Sequence, residues 1–181
     1  MKNINWTEVE ESGNGAGLPV GGYVLVITNA QDNPADEYVE VTYDVSEGDH
    51  AGHYSDTWGK NNAWAHSQRV YYKGNAQGMF KRFLKKLEDS NSDFVIGAWQ
   101  QTSDERAFIG KKIGGIVQKR LYTNSDGEDK ETLEVARWES ADDIRGGNFK
   151  MPEPRDNRDK SASCKAPAPN QPDMYSDIPF M

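Results

Sequence analysis

The chain has 181 residues, a length that suits one domain plus an extension. Its formal net charge is −8, which excludes a nucleic-acid-coating protein that is basic all over but leaves room for a local basic groove on an acidic body. Hydrophobic residues make up only 35%, so part of the chain has no place in a core, and no apolar run approaches the ~18 residues of a membrane span. Residues 1–17 are polar and end in a glycine-rich run, GNGAG, expected to be a flexible lead-in. That run lacks the Gly-Lys-Ser/Thr ending and the preceding strand of a phosphate loop. The segment also lacks the apolar core of a secretory signal.

Residues 18–28 (LPVGGYVLVIT) form a continuous apolar run rich in Val, Ile and Tyr, which predicts a strand buried on much of both faces. Residues 29–36 read as a loop around Asn33-Pro34. Residues 37–45 (EYVEVTYDV) alternate with period two, Val39, Val41, Tyr43 and Val45 against Tyr38, Glu40, Thr42 and Asp44, the pattern of a half-buried strand. A turn at 46–52 leads to residues 53–58 (HYSDTW), read as a short third strand. Residues 59–74 have no clear period but interleave cations with rings. A helix is predicted over 76–89: Met79, Phe80, Phe83, Leu84 and Leu87 recur at three- and four-residue spacing, Asn75 offers an N-cap, and Lys81, Arg82, Lys85 and Lys86 fill a solvated face.

Residues 108–138 hold two amphipathic arms around a loop at 123–131 that contains Asp126-Gly127, a hairpin signal. In the first arm Ile109, Ile113, Val117 and Leu121 share one parity, and Lys112, Gln118, Arg120 and Tyr122 the other. Gly114-Gly115 is read as a bulge. Ser140, with Asp143 three residues on, is read as the cap of a short helix. Residues 151–181 are rich in Pro, Ser, Asn, Asp and Lys, a composition that cannot bury enough surface to offset its ordering entropy, so a disordered tail is expected. At its tip apolar and acidic residues return, including Asp173, Met174, Tyr175, Asp177, Ile178, Pro179 and Phe180, a pattern that reads as a partner-binding peptide.

The order β-β-β-α-β-β is that of the OB-fold. The expectation is therefore a mainly β domain over residues 18–150, a five-stranded OB-fold barrel with one capping helix, between a lead-in (1–17) and a tail (151–181). In that fold strands two and three, with the loops joining strands one to two and four to five, make the usual oligonucleotide groove. Binding a single strand without regard to sequence needs ring faces for bases and cations for phosphates. Trp58, Trp64, Tyr71 and Tyr72 are the stacking candidates, and Lys60, Arg69, Lys73, Lys112 and Arg120 the phosphate contacts, with Tyr122 and Trp138 behind them. His50, His53 and His66 with Asp56 fit no zinc template, and no nucleophile–base pair is visible, so no metal, no cofactor and no enzymatic activity are expected. A lone cysteine, Cys164, rules out an internal disulfide and favours a reducing, cytoplasmic setting.

The segments GGYVLVIT, YVEVTYDVSEGDHAGHYSD, FKRFLKKLEDSN, FIGKKIGGIV and ADDIRGGNFKMPE, together spanning roughly residues 18–153, resemble a family of small phage-encoded proteins of Gram-positive hosts. These are generally taken to be single-stranded DNA-binding proteins of replication and recombination. The tip MYSDIPFM is similar to the acidic C-terminal tip of bacterial single-stranded DNA-binding proteins, matching at Asp177-Ile178-Pro179-Phe180, with Met181 following the ring. The resemblance implies sequence-independent binding of single-stranded DNA in the host cytoplasm. It also implies recruitment of replication or recombination proteins through Asp173, Asp177, Ile178, Pro179 and Phe180. The alternative is an acidic OB-like interaction module that binds such a protein without touching DNA, for which the negative charge argues. Self-association is compatible with either.

Overall fold

A computed structural model describes residues 18–57 and 66–158. The strands are β1 (Gly21–Asn33), β2 (Tyr38–Val45), β3 (Ser67–Tyr71), β4 (Lys112–Thr123), β5 (Asp129–Glu139) and β6 (Arg155–Asn157). The helices are α1 (His53–Thr57), α2 (Gln77–Ser90), α3 (Ile96–Trp99) and α4 (Ala141–Arg145). One sheet runs in the order β3-β2-β1-β4-β5 with antiparallel neighbours, and β6 lies parallel to β4 along Arg120–Tyr122. The sheet is therefore six-stranded rather than five-stranded. Among the described residues no register joins β3 to β5, so it is an open sheet.

Several elements differ from the sequence expectation. Residues 53–57 are helical, because the buried carboxylate of Asp44 accepts from the Tyr54 and Ser55 backbone N–H groups (3.0 and 3.1 Å) and so caps the first turn of α1. The third strand lies instead at Ser67–Tyr71, within the aperiodic stretch. Residues 155–157, read from composition as part of a structureless tail, add a strand to the β4 edge that β1 leaves free. The loop between β1 and β2 is also shorter than expected, since β1 runs on to Asn33. A register break between Ile27 and Asn29 lets it do so while bending.

The core lies between the sheet and α2. Leu25 and Ile27 of β1, Val41 of β2, and Ile113 and Val117 of β4 are fully buried there with Phe83 and Leu87. Phe83 packs edge-on against Phe108 (5.6 Å) and Trp138 (5.4 Å). Met79, placed in the apolar stripe by spacing, is instead 69% exposed. Nor does Asn75 cap α2: a 3-10 turn, Gly74–Ala76, precedes it, and Ala76 occupies the cap position. The outer lysines and arginines are only partly solvated. Arg82 and Lys86 converge on the nearly buried Glu139 of β5 (2.6 and 2.9 Å), and Lys86 also reaches Asp143 of α4 (3.1 Å). Ser140 caps α4 as expected, accepting from the Asp143 N–H at 3.1 Å.

The Gly114-Gly115 pair is a place of close approach, not a bulge. A Cβ on Gly114 would meet Ile144 at 2.5 Å and one on Gly115 would meet Leu25 at the same distance. The register break in this hairpin falls one step later, between Ile116 and Val117, where β5 carries the extra residue.

Glu47, in the turn after β2, ties three distant elements together. Its carboxylate accepts from Arg145 of α4 (2.7 and 2.9 Å) and from Lys112 of β4 (2.7 Å). Hydrogen bonds from Arg145, then from Lys112, hold its pKa at about 2, well below the usual 4.5. A carboxyl whose pKa is lower folded than unfolded adds stability above its unfolded value and loses it as pH falls through the folded one. The melting-temperature gap between wild type and Glu47→Gln should therefore be full above pH 4.5 and close as pH approaches 2. Calorimetry across that range checks this; a gap that ignores pH would remove the carboxylate charge from the account.

Candidate nucleic-acid interface

The two ends of the sheet path, β3 and β5, face each other across an open cleft of about 570 Å3. Its β3 wall carries Ser67, Gln68, Arg69 and Tyr71, with Glu40 of β2 behind them. Its far wall carries Arg120 of β4 and Thr132, Leu133 and Glu134 of β5. Alternation along β3 sends Arg69 and Tyr71 to the cleft and Val70, 5% exposed, to the core.

Rings and cations are interleaved on this surface. The Arg69 guanidinium lies over the Tyr38 ring (4.9 Å), and Tyr38 meets Tyr71 edge-on (5.3 Å). The Lys73 ammonium lies over the Tyr71 ring (5.3 Å), and Arg120 over Tyr122 (5.5 Å), its neighbour two residues along the same strand face. Each arginine also has an acidic partner. Arg69 Nε pairs with Glu40, opposite it in the β2–β3 register, at 3.2 Å, and Arg120 Nη1 with Glu134 at 3.3 Å. Glu134 further accepts from Gln118 Nε2 (3.4 Å). The Nε of Arg120 and the Oε1 of Gln118 are buried with no hydrogen-bond partner among the described residues, so one ion pair and one ring hold the Arg120 head.

Of the residues singled out from sequence, Arg69, Tyr71 and Arg120 line this cleft, and Lys73 and Tyr122 flank it through their ring contacts. Tyr72 points to the other side of the sheet, where its hydroxyl donates to Asp32 (2.9 Å) and its ring meets Phe80 (5.5 Å). Lys112 lies near the start of β4, eight residues from Arg120 or roughly 27 Å at ~3.4 Å per residue, paired with Glu47. Trp138 is partly buried and packs against the core, where its ring meets Phe83 and Tyr43 edge-on. Trp58, Lys60 and Trp64 lie outside the described residues, as do Asp173, Asp177, Ile178, Pro179 and Phe180. The segment that carries Trp58, Lys60 and Trp64 leaves from α1 and returns at His66, whose ring stacks on Tyr54 (4.9 Å). Both of its anchors are thus fixed on the Asp44–Tyr54 cluster.

Sequence reasoning missed the acidic half of the cleft. Glu40 was legible as the polar parity of β2, but its pairing with Arg69 depends on a register that the misplaced third strand concealed. Glu134 and Gln118 carry no local signal, since each meets its partner only across the β4–β5 ladder. No protein-family model matches the chain, and no curated protein matches it.

Proposed function

We propose that this protein binds single-stranded DNA without regard to sequence, along the cleft between β3 and β5 of an OB-fold barrel left open at that seam. The carrying observation is that the sheet follows the strand path 3-2-1-4-5 and the cleft between its two free ends is lined by Arg69 and Tyr71 of β3 and by Arg120 of β4, the neighbour of β5. The arginines supply phosphate contacts and Tyr71 a face for a base. Glu40 and Glu134 are the groups a phosphate displaces as arginine partners. The Arg69–Glu40 pair is well exposed on both sides and so is cheap to exchange. The resemblance of the body to phage single-stranded DNA-binding proteins supports a place in phage replication or recombination in the host cytoplasm, with residues 173–181 recruiting partner proteins.

The test is titration of the full chain with oligo(dT) and with duplex of equal length over a salt series. Expected is preference for the single strand and an affinity that falls with salt, with a log–log slope of about −0.7 per phosphate neutralised. No binding at low salt would overturn the reading. Glu40→Gln should tighten binding by about threefold, the worth of removing one screened like charge near a phosphate. Unchanged affinity in that variant would take Arg69 out of the phosphate path.

A second reading is favoured by one observation: the two arginines of the cleft are matched by two glutamates, so its walls carry no net charge, on a chain of net charge −8. On that reading the cleft is an acidic interaction module's site for a replication or recombination protein. The same titration separates the two, because this module leaves oligo(dT) unbound.

A further inference from the structure

On the opposite side of the sheet from the cleft, a second groove of about 500 Å3 opens between α2 and α3. Phe80, Leu84, Ile96 and Trp99 form its mainly apolar lining, with Tyr72 at one end. The groove is rigid by construction. The Trp99 indole N–H donates to the Asp104 carbonyl (3.0 Å), and the Ile96 N–H donates to Glu88 (2.9 Å), which pins the start of α3 to α2. The Tyr72 hydroxyl is held by Asp32. Two lysines stand at the rim. Lys85 is occupied by Glu88 and Asp89 (3.1 and 3.0 Å), but Lys81 is exposed and has no ion pair among the described residues. A fixed apolar slot with a free cation at its lip fits a short apolar segment that carries a carboxylate.

We propose that this groove holds the chain's own tip, residues 173–181, with Ile178 and Phe180 in the slot and Asp177 toward Lys81. The tip is the one stretch beyond Arg158 that joins large apolar residues to aspartates, and its charge complements the rim. Reach is sufficient. Phe180 lies 22 residues beyond Arg158, and a generic flexible linker of that length has a root-mean-square span of about 26 Å, against a radius of gyration of about 14 Å for a body this size. Tethering of this kind sets a local concentration on the order of millimolar, so a weak contact is enough to fill the groove. Docking there leaves the β3–β5 cleft open and withholds the tip from other proteins until one competes for it. The inference does not depend on what the cleft binds.

The test compares amide spectra of the full-length protein with those of Phe180→Ala and Lys81→Glu, neither of which alters a core residue. Phe180→Ala should shift the amides of Phe80, Lys81 and Ile96 and the Trp99 indole N–H, and leave Arg69 and Arg120 in place. Lys81→Glu should shift the amides of Asp177 and Phe180, and both sets of changes should survive dilution. Silent groove signals overturn the proposal, as do shifts confined to the cleft. Shifts that vanish on dilution overturn it too, because they place the tip on a neighbouring copy. An oligo(dT) titration of Phe180→Ala keeps the two readings apart: loss of DNA binding there would count against the cleft assignment, not against the groove.

Discussion

Replacing Asp44 by alanine is expected to lower stability by about 3 kcal/mol, because it strips the acceptor from several buried donors at once. The carboxylate is 5% exposed and accepts from the N–H groups of Val45 (2.7 Å), Tyr54 and Ser55, and from the Ser55 hydroxyl. Alanine leaves those N–H groups without a partner where little water reaches, and α1 loses its cap. Tyr54 then loses its seat against Tyr43 (5.8 Å) and His66, so the damage spreads into the sheet. For a body of this size the change corresponds to a fall in melting temperature of roughly 10 °C. Asp44→Asn keeps one acceptor oxygen and should cost about half as much. A melting curve for Asp44→Ala within a degree or two of wild type would show that α1 does not need its cap.

The second large effect is on binding. Tyr71→Ala combined with Arg120→Ala should weaken affinity for oligo(dT) by about 2–4 kcal/mol, from one lost stacking face and one lost charge-assisted contact. The salt dependence separates the two parts. Arg120→Ala alone should flatten the log–log slope by about 0.7, whereas Tyr71→Ala should lower affinity and leave the slope unchanged. Both side chains are only half-buried in the cleft walls, so the variants should melt near wild type. A folded double variant that binds as tightly as its parent would move the contact surface elsewhere, with the segment between α1 and β3 the next place to look.

Local pattern made much of the sheet and its helix legible. The period-two alternation of β2 and the apolar run of β1 marked both as strands, but not their burial: β2 is buried on both faces rather than one, and β1 is covered mainly in its middle. The apolar spacing of α2 located its inner face at Phe83, Leu84 and Leu87. What escaped was decided at a distance. His53–Thr57 carries rings that suit a strand, but the carboxylate of Asp44, ten residues before Tyr54, caps it into a helix. The Gly114-Gly115 pair resembles a bulge until Leu25 and Ile144 are seen pressing on it from other elements. The site was legible in part for the same reason. Arg69, Tyr71 and Arg120 stood out as cations among rings, whereas their acidic partners are brought to them by cross-strand register, and Tyr72 and Lys112 carry the right chemistry on the wrong side or at the wrong end.

The short parallel strand β6 also acts as a guard. Beyond the start of β1, the rungs of β4 from Arg120 to Tyr122 would otherwise offer unpaired amides and carbonyls to any extended chain that drifts past. A version of the protein cut back to residue 150 would bare that seam. It should tend to pair with copies of itself and to precipitate at concentrations where the longer chain stays dispersed.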